Sequence, residues 1–463
     1  MTIRLRHALF VAVLPLLGAC SVRAPYQAPP TRPAGVKNVD PALFVDQPYD
    51  PRWWRQFDDP ILEQLEADAL RSNLDVQMAV SRVNQARAVF DDVARERYPI
   101  VTVGGDIDRR EQVIPGFTDK PIRTSTYRAG FDAFWEIDLF GRIRSAVRAA
   151  SATAESFTAT LDDVRVSVAA EVARNYFELR GLQQQFAVAE RSLANQQETL
   201  RLTRVRRDGG VGEEQDVASA AARVAAIEAS FPPIRTAIAA RRHRLAVLTS
   251  LRPGELTVDL APRSYAPLAK ALPLGDPALL LQRRPDVRAA ERTVAAAAAR
   301  EGVAAAGLFP RVSVAGFLGL LAGRGSMFGS ADSRAWAVTP ALSWAGFDLG
   351  SARARLRGAK AGSDEVVAAY EQTVLRALEE TENALVAYRE EQERLVKLAD
   401  QARESARAAA IARVRYREGV ADFLALLDAE RTQLQAEDAV AQAEAGVFTG
   451  VVAVYKAFGG IVQ

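Results

Sequence analysis

Tyr127-Arg-Ala-Gly-Phe-Asp-Ala-Phe-Trp-Glu-Ile-Asp-Leu139 runs through Phe140-Gly141-Arg142 into a stretch that reaches Asp208 without a proline. Two periodicities meet here. In the first part Tyr127, Ala129, Phe131, Ala133, Trp135, Ile137 and Leu139 share one face. Arg128, Gly130, Asp132, Glu136 and Asp138 share the other, with Phe134 the exception. Alternation of this kind marks a strand with one greasy and one polar side. The Pro-free part, about Arg142 to Asp208, reads as one helix spanning roughly 100 Å at 1.5 Å per residue. Compact globules do not need a helix of that length, whereas coiled coils and tubes do.

Working outward, the same plan occurs twice. A shift of 211 residues lays Leu70–Gly105 on Leu281–Gly316 without a gap: Asp75-Val76 meets Asp286-Val287, Val83 meets Val294, Pro99 meets Pro310, and Val101, Val103 and Gly105 meet Val312, Val314 and Gly316. Further on the offset is 209, and Gly141, Glu171, Arg204-Val205-Arg206 and Gly210-Val211 meet Gly350, Glu380, Arg413-Val414-Arg415 and Gly419-Val420. Ungapped self-similarity of this extent reads as a duplication. In each copy a helix (about Leu74 to Arg97, and Asp286 to Gly307) ends before a Pro, which cannot continue it without loss. Two strands follow, at 100–111 and 126–140 and at 311–321 and 336–347, then a long helix, a Gly-containing turn and a returning helix. The second long helix covers about Ser351 to Glu418, and Phe231-Pro232-Pro233 is expected to break or kink the first returning helix.

The chain has 463 residues, 49% hydrophobic and 25% charged, with net charge +2. This is a globular composition without the Lys/Arg-rich blocks of a nucleic-acid binder. One Cys and two His, with His7 near the start, nearly exclude a Cys/His metal site or a Ser-His-Asp triad. His243, beside Arg241 and Arg242, reads as solvated. No cofactor is expected.

Arg4 and Arg6, the apolar run Ala8 to Leu17 and the small Gly18-Ala19 form a secretory signal over 1–19. Leu17-Gly18-Ala19-Cys20 resembles the bacterial lipobox, in which the Cys is acylated after cleavage. Ser21 follows where Asp would favour inner-membrane retention, which points to the outer membrane of a Gram-negative cell. Residues 20–60, rich in Pro and aromatics, read as an extended tether docking by its end, near Trp53-Trp54. No other apolar run reaches the length of a spanning helix, so a mature chain that crosses a membrane does so as a closed barrel. A soluble sheet over a core alternates identically. The lipoprotein signal and the tube-length helices favour the barrel, and two strand pairs close one only with further copies of the chain.

Three stretches then carry a family resemblance. Leu281-Gln-Arg-Arg-Pro-Asp-Val-Arg-Ala-Ala-Glu291, Trp135-Glu-Ile-Asp-Leu-Phe-Gly-Arg142, and Arg415-Tyr416 through Gly419 to Leu427-Asp428-Ala429 resemble the TolC-like outer-membrane efflux proteins, in the NodT-type lipoprotein branch. The resemblance implies an α+β membrane protein: a trimeric 12-stranded β-barrel, four strands per chain, continued by a long periplasmic α-helical barrel built from two repeats. These would be 61–250, with its hairpin at 141–250, and 281–463, with its hairpin at 350–458. The tether and a linker at 251–280 would share a mixed belt. It further implies a homotrimer in outer-membrane lipid, working passively with a periplasmic adaptor and an inner-membrane pump.

The spacing of Leu424, Asp428 and Arg431 puts them on one helix face, and by resemblance that face lines the pore. Three Leu424 would make an apolar constriction and three Asp428 an acidic ring able to hold a cation. A plain surface pair of Asp428 with Arg431 has the same spacing. Tyr416 matches a Tyr that ties the closed tip in the family. Ala421 and Ala425 stand where other members carry an Arg and an acid, and Asp216 lies opposite Ala425 in the repeat. By the same analogy the turns Gly210-Val211-Gly212 and Gly419-Val420-Ala421 are the adaptor contacts, although Gly also serves a simple chain reversal. Arg128, Asp132 and Glu136 would line the barrel lumen. Three other readings stand beside the duct. A lipoprotein adaptor would have one hairpin, not two. A structural trimeric coiled coil would keep strict heptads. A lipid-anchored enzyme would show a clustered catalytic set.

Overall fold

Strand-forming and helix-forming segments are sharply partitioned along the chain. The computed structural model describes residues 26, 28, 36–45, 47, 51–116, 119–263, 271–274 and 284–460; Cys20 and residues 281–283 lie outside these. In chain order the elements are β1 (Phe44–Val45), a 3₁₀ turn (Trp53–Phe57), α1 (Pro60–Ser72), α2 (Leu74–Arg95), β2 (Ile100–Gln112), β3 (Ile122–Ile137), α3 (Arg142–Asp208) and α4 (Glu214–Leu248). Then come β4 (Leu272–Pro273), α5 (Pro285–Ala306), β5 (Arg311–Ala322), β6 (Arg334–Ser343), α6 (Leu349–Arg417) and α7 (Phe423–Ala457), with two short 3₁₀ turns before β6. Two compact units share the chain. One holds Arg82–Thr158 and Ala289–Glu371 with the first thirty residues; the other holds Thr31–Ser81, Ala159–Arg288 and Gln372–Gln463.

The first unit is built on one antiparallel sheet of order β2-β3-β5-β6. Opposed residues in a ladder share a face. Val103, Phe131, Leu318 and Trp336 therefore form one apolar rung, and Val101, Ala133, Gly316 and Val338 the next. The other face carries Thr102, Asp132, Phe317 and Ala337 across one rung, and Asp106 opposite Arg128. Gly130 pairs with Gly319, and a side chain at either would run into the Phe317 ring lying across them. Pro340 sits in β6, an edge strand of the sheet, where a missing N–H costs no ladder bond inside the chain.

The helices α3 and α6 run unbroken through 67 and 69 residues, each with its first part in one unit and the rest in the other. The expected break at Pro232-Pro233 is absent, because α4 remains helical across both prolines. The carbonyls their missing N–H groups leave free belong to Glu228 and Ala229, which are exposed to water. Phe231 meanwhile is buried against Phe186, with ring centroids 5.1 Å apart.

The tether is held at several points, not only by its end. Glu382 accepts from the backbone N–H groups of Lys37 at 2.6 Å and Asn38 at 3.1 Å. β1 pairs in parallel with β4 of the linker. Trp53 stacks on Tyr455 at 5.4 Å, and Phe57 packs on Phe177 and Phe448. Aromatic area of this kind offsets the entropy of ordering an otherwise irregular segment. Asp59 caps α1 by accepting from Ile61 N and Leu62 N, with Pro60 at the first helical position. Neither α1 nor the 3₁₀ turn was evident from sequence pattern.

The Arg-Arg-Pro-Asp motif has a packing role in the part described. The Arg284 side chain, 8% exposed, binds Asp286 at 2.9 Å, Glu380 at 2.7 Å and the carbonyl of Ala457 at the end of α7. Gly459, at φ +76°, lets the chain turn against Arg284 where a Cβ would meet its side chain. One guanidinium thus joins the entry to α5, the middle of α6 and the end of α7.

Glu66 on α1 is fully buried, and neither carboxyl oxygen has a hydrogen-bond partner among the described residues. Burial pushes its pKa well above the ordinary 4.5, and the nearby backbone of Ala173 opposes this only in part. From 4.5 up to that raised value, the unfolded chain releases the proton while the folded chain keeps it. Stability therefore falls as pH rises. Glu66→Gln is expected to remove this slope. In thermal unfolding it should match wild type near pH 4 and exceed it at pH 8 by about 1–3 kcal/mol. A wild type that gains on the variant as pH rises would contradict a buried, unpaired Glu66.

Candidate functional site

Two regions are candidates for function, the sheet and the turns of the two long hairpins. The apolar face of the sheet has no cover from the chain: Val103, Phe131, Leu318 and Trp336 are 76%, 54%, 65% and 77% exposed. Side chains of this kind left in water in a row oppose folding, so such a face needs an apolar medium or a partner.

The polar face is internally neutralised. Arg128 pairs with Asp132, approaches Asp106 at 3.5 Å and lies over the Phe317 ring at 4.4 Å. Glu136, on the same face, is locked to Arg142 at 2.7 Å, and Arg142 also reaches Glu96 at 3.1 Å. Of the three residues expected to line a lumen, Arg128 and Asp132 are brought together, while Glu136 is drawn into the strand-to-helix junction.

That junction accounts for the Trp135–Arg142 motif. Asp138 accepts from Ile143 N at 3.1 Å and Arg144 N at 2.8 Å, satisfying two orphan donors at the start of α3. Gly141 takes φ +80° to make the turn. The Trp135 indole donates to Arg97 O at 3.1 Å, and the Trp344 indole donates to Leu308 O at the same distance. Each thus ties the sheet base to the end of the preceding helix.

At the other end, both long helices finish in the same device. Val211 N bonds Arg206 O and Gly210 N bonds Arg207 O; Val420 N bonds Arg415 O and Gly419 N bonds Tyr416 O. These are paired 6→1 and 5→2 bonds, with Gly210 at φ +76° and Gly419 at φ +74°. Val211 and Val420 are exposed at the turns, and α7 begins with Asp422 capping Ala425 N.

Tyr416, expected at the tip, is 3% exposed, in a cluster with Leu200, Val217, Phe423 and Leu426. Arg206 lies over the ring at 4.7 Å and donates to Tyr416 O at 2.7 Å. The ring is interior because residues of both hairpins form this cluster. Leu424, by contrast, is 64% exposed, and Asp428 pairs with Arg431 at 2.5 Å on the surface. Asp216 is half-buried on α4, and His243 is exposed.

Sequence pattern missed a second tie between the hairpins. Glu430 accepts from Arg413 at 2.9 Å and from Thr199 at 3.1 Å. Burial pushes the Glu430 carboxyl up, and Arg413 pulls it back. The available signal was Glu430's place between two outward residues, Asp428 and Arg431, which turns it inward.

A bare apolar sheet face joined to unbroken helices of this length defines an outer-membrane protein of the β-strand type with a helical extension. The chain belongs to the outer membrane efflux protein family, which matches it twice, over residues 65–250 and 277–460. It is 31% identical over 457 residues to the antibiotic efflux pump outer membrane protein ArpC of Pseudomonas putida, covering 96% of this chain and 93% of that one. It is 27% identical over 431 residues to nodulation protein T of Rhizobium leguminosarum bv. trifolii, covering 92% and 91%. The solved outer-membrane channel OprN superposes with a TM-score of 0.93 at 49% identity, covering 95% of this chain and 99% of that one. The protein is an outer-membrane efflux component.

The turn glycines allow a direct test. Gly210→Ala and Gly419→Ala each force a left-handed backbone on a residue with a Cβ, at a cost of about 1 kcal/mol. Amide exchange over 205–212 and 415–421 should quicken about fivefold in the respective variant, while the sheet amides keep their wild-type rates.

Proposed function

We propose that three copies of this chain close one 12-stranded barrel in the outer membrane and continue it as a periplasmic tube of packed helices. The observation that carries this is the sheet: four strands, an apolar face bare along Val103, Phe131, Leu318 and Trp336, and β2 and β6 each with an edge unpaired within the chain. Four strands are too few to close, and lipid tolerates no open edge. A barrel shared between copies answers both needs. Arg128 and Asp132, and Glu136 at its base, then face the lumen. The recurrence of helix, strand pair and hairpin at offsets of 211 and 209 residues supports two repeats of one ancestral unit.

The duct is passive and performs no chemistry of its own. An inner-membrane pump supplies energy and substrate, and a periplasmic adaptor docks on Gly210, Val211, Gly212, Gly419, Val420 and Ala421. Cys20 carries the lipid anchor. Leu424 and Asp428 narrow the pore at the tip, with Arg431 and Asp216 beside them. Tyr416 supports that constriction from within the chain.

Single-channel conductance in planar bilayers tests the reading. Purified full-length wild type is expected to give small, cation-selective openings. Asp428→Ala should widen them and lose most of the selectivity. Openings unchanged by the substitution would remove Asp428 from the gate. Folded, acylated protein that gives no channel, even after Glu430→Ala removes the tie to Thr199 in the other hairpin, would overturn the duct.

A further inference from the structure

Tyr26 is the first residue that the structure describes, and it is held. Its phenol donates to Glu291 Oε1 on α5 at 2.8 Å. The other oxygen of Glu291 accepts from Arg292 Nε at 2.5 Å, and Arg292 reaches Glu155 on α3 at 3.1 Å. The Glu291 side chain is only 15% exposed. Burial pushes the Tyr26 hydroxyl pKa up and the Glu291 carboxylate adds to it, so the phenol keeps its proton and remains a donor. All four residues belong to the unit that contains the sheet. Glu291 closes the motif that starts at Leu281, and nothing in the duct reading uses it.

Tyr26 lies six positions after Cys20, a reach of at most about 20 Å when fully extended. From Glu291, α5 continues to Ala306, roughly 22 Å at helical rise, and β5 starts at Arg311. The two lengths match. An acyl group on Cys20 attains the base of the sheet only if the intervening chain is nearly taut. Without the clamp the next described tie is Lys37 and Asn38 on Glu382. The free run would then grow from six residues to about seventeen, and the effective concentration of the anchor at the membrane face would fall about fivefold.

We propose that the Tyr26–Glu291–Arg292–Glu155 chain is a depth stop. It fastens the lipidated end to the α3–α5 helix pair, so that the acyl chains set where the sheet base sits against the inner face of the membrane. This inference rests on the lipoprotein reading of Cys20.

The test uses full-length protein in vesicles of phosphatidylethanolamine and phosphatidylglycerol. It measures tryptic cleavage after Arg23, between the anchor and the clamp, with the mass of the released Cys20–Arg23 peptide reporting acylation. Wild type is expected to resist cleavage. Tyr26→Phe and Glu291→Ala should each speed it about tenfold, and the double variant no further, because each breaks the same bond. Glu291→Gln, which keeps an acceptor oxygen, should stay much closer to wild type. Six Gly/Ser residues inserted before Tyr26, with the clamp intact, should also expose Arg23. Equal cleavage of wild type and Tyr26→Phe overturns the clamp. Persistent protection after the insertion overturns the depth stop. A peptide of unmodified mass instead overturns the lipoprotein reading.

Discussion

Every backbone amide in a strand that meets hydrocarbon must find its partner in protein, because no water is there to take its place. The proposed barrel puts the four-stranded sheet under this constraint. Its inner ladders are complete, one face carries valine, phenylalanine, leucine and tryptophan, and its two edges are unpaired within the chain. The rest of the chain serves that sheet. Asp138 and Gly141 convert a strand into a helix within a few residues, and paired tryptophans fasten the strand ends to the helices before them.

Away from the sheet, small Ala-rich faces allow helices to pack closely, but they specify register poorly. Charge networks supply what they lack. Arg284 joins three elements, Thr199 and Glu430 bridge the hairpins, and Arg206 closes over Tyr416. Buried pairs of this kind contribute less to net stability than to uniqueness, since desolvation offsets much of their attraction, while removing one partner strands the other. Glu66 is the exception, a buried acid with no partner among the described residues, and it makes the protein's stability depend on pH.

Much of the fold was legible because it is local. Period two over Tyr127–Ile137 and the absence of proline through Asp208 set strand and helix with no reference to tertiary contacts. The long helix begins and ends where the sequence indicates, at Arg142 and Asp208. The turn glycines were readable for the same reason, since a left-handed residue after a helix is a backbone requirement. Pro232-Pro233 does not break the helix, because the residues whose carbonyls lose a partner, Glu228 and Ala229, are exposed while Phe231 is held by packing.

The sequence by itself determined the alternation of the sheet, the length of the helices, the twofold plan and the family. Tertiary structure alone decided which polar residues meet. Tyr416 lies inside the tip, Glu136 meets Arg142, and Tyr26 finds Glu291 across 265 positions of sequence. Periodicity reports which face of an element a side chain occupies. What stands opposite that face depends on how distant elements pack, and no local pattern encodes that.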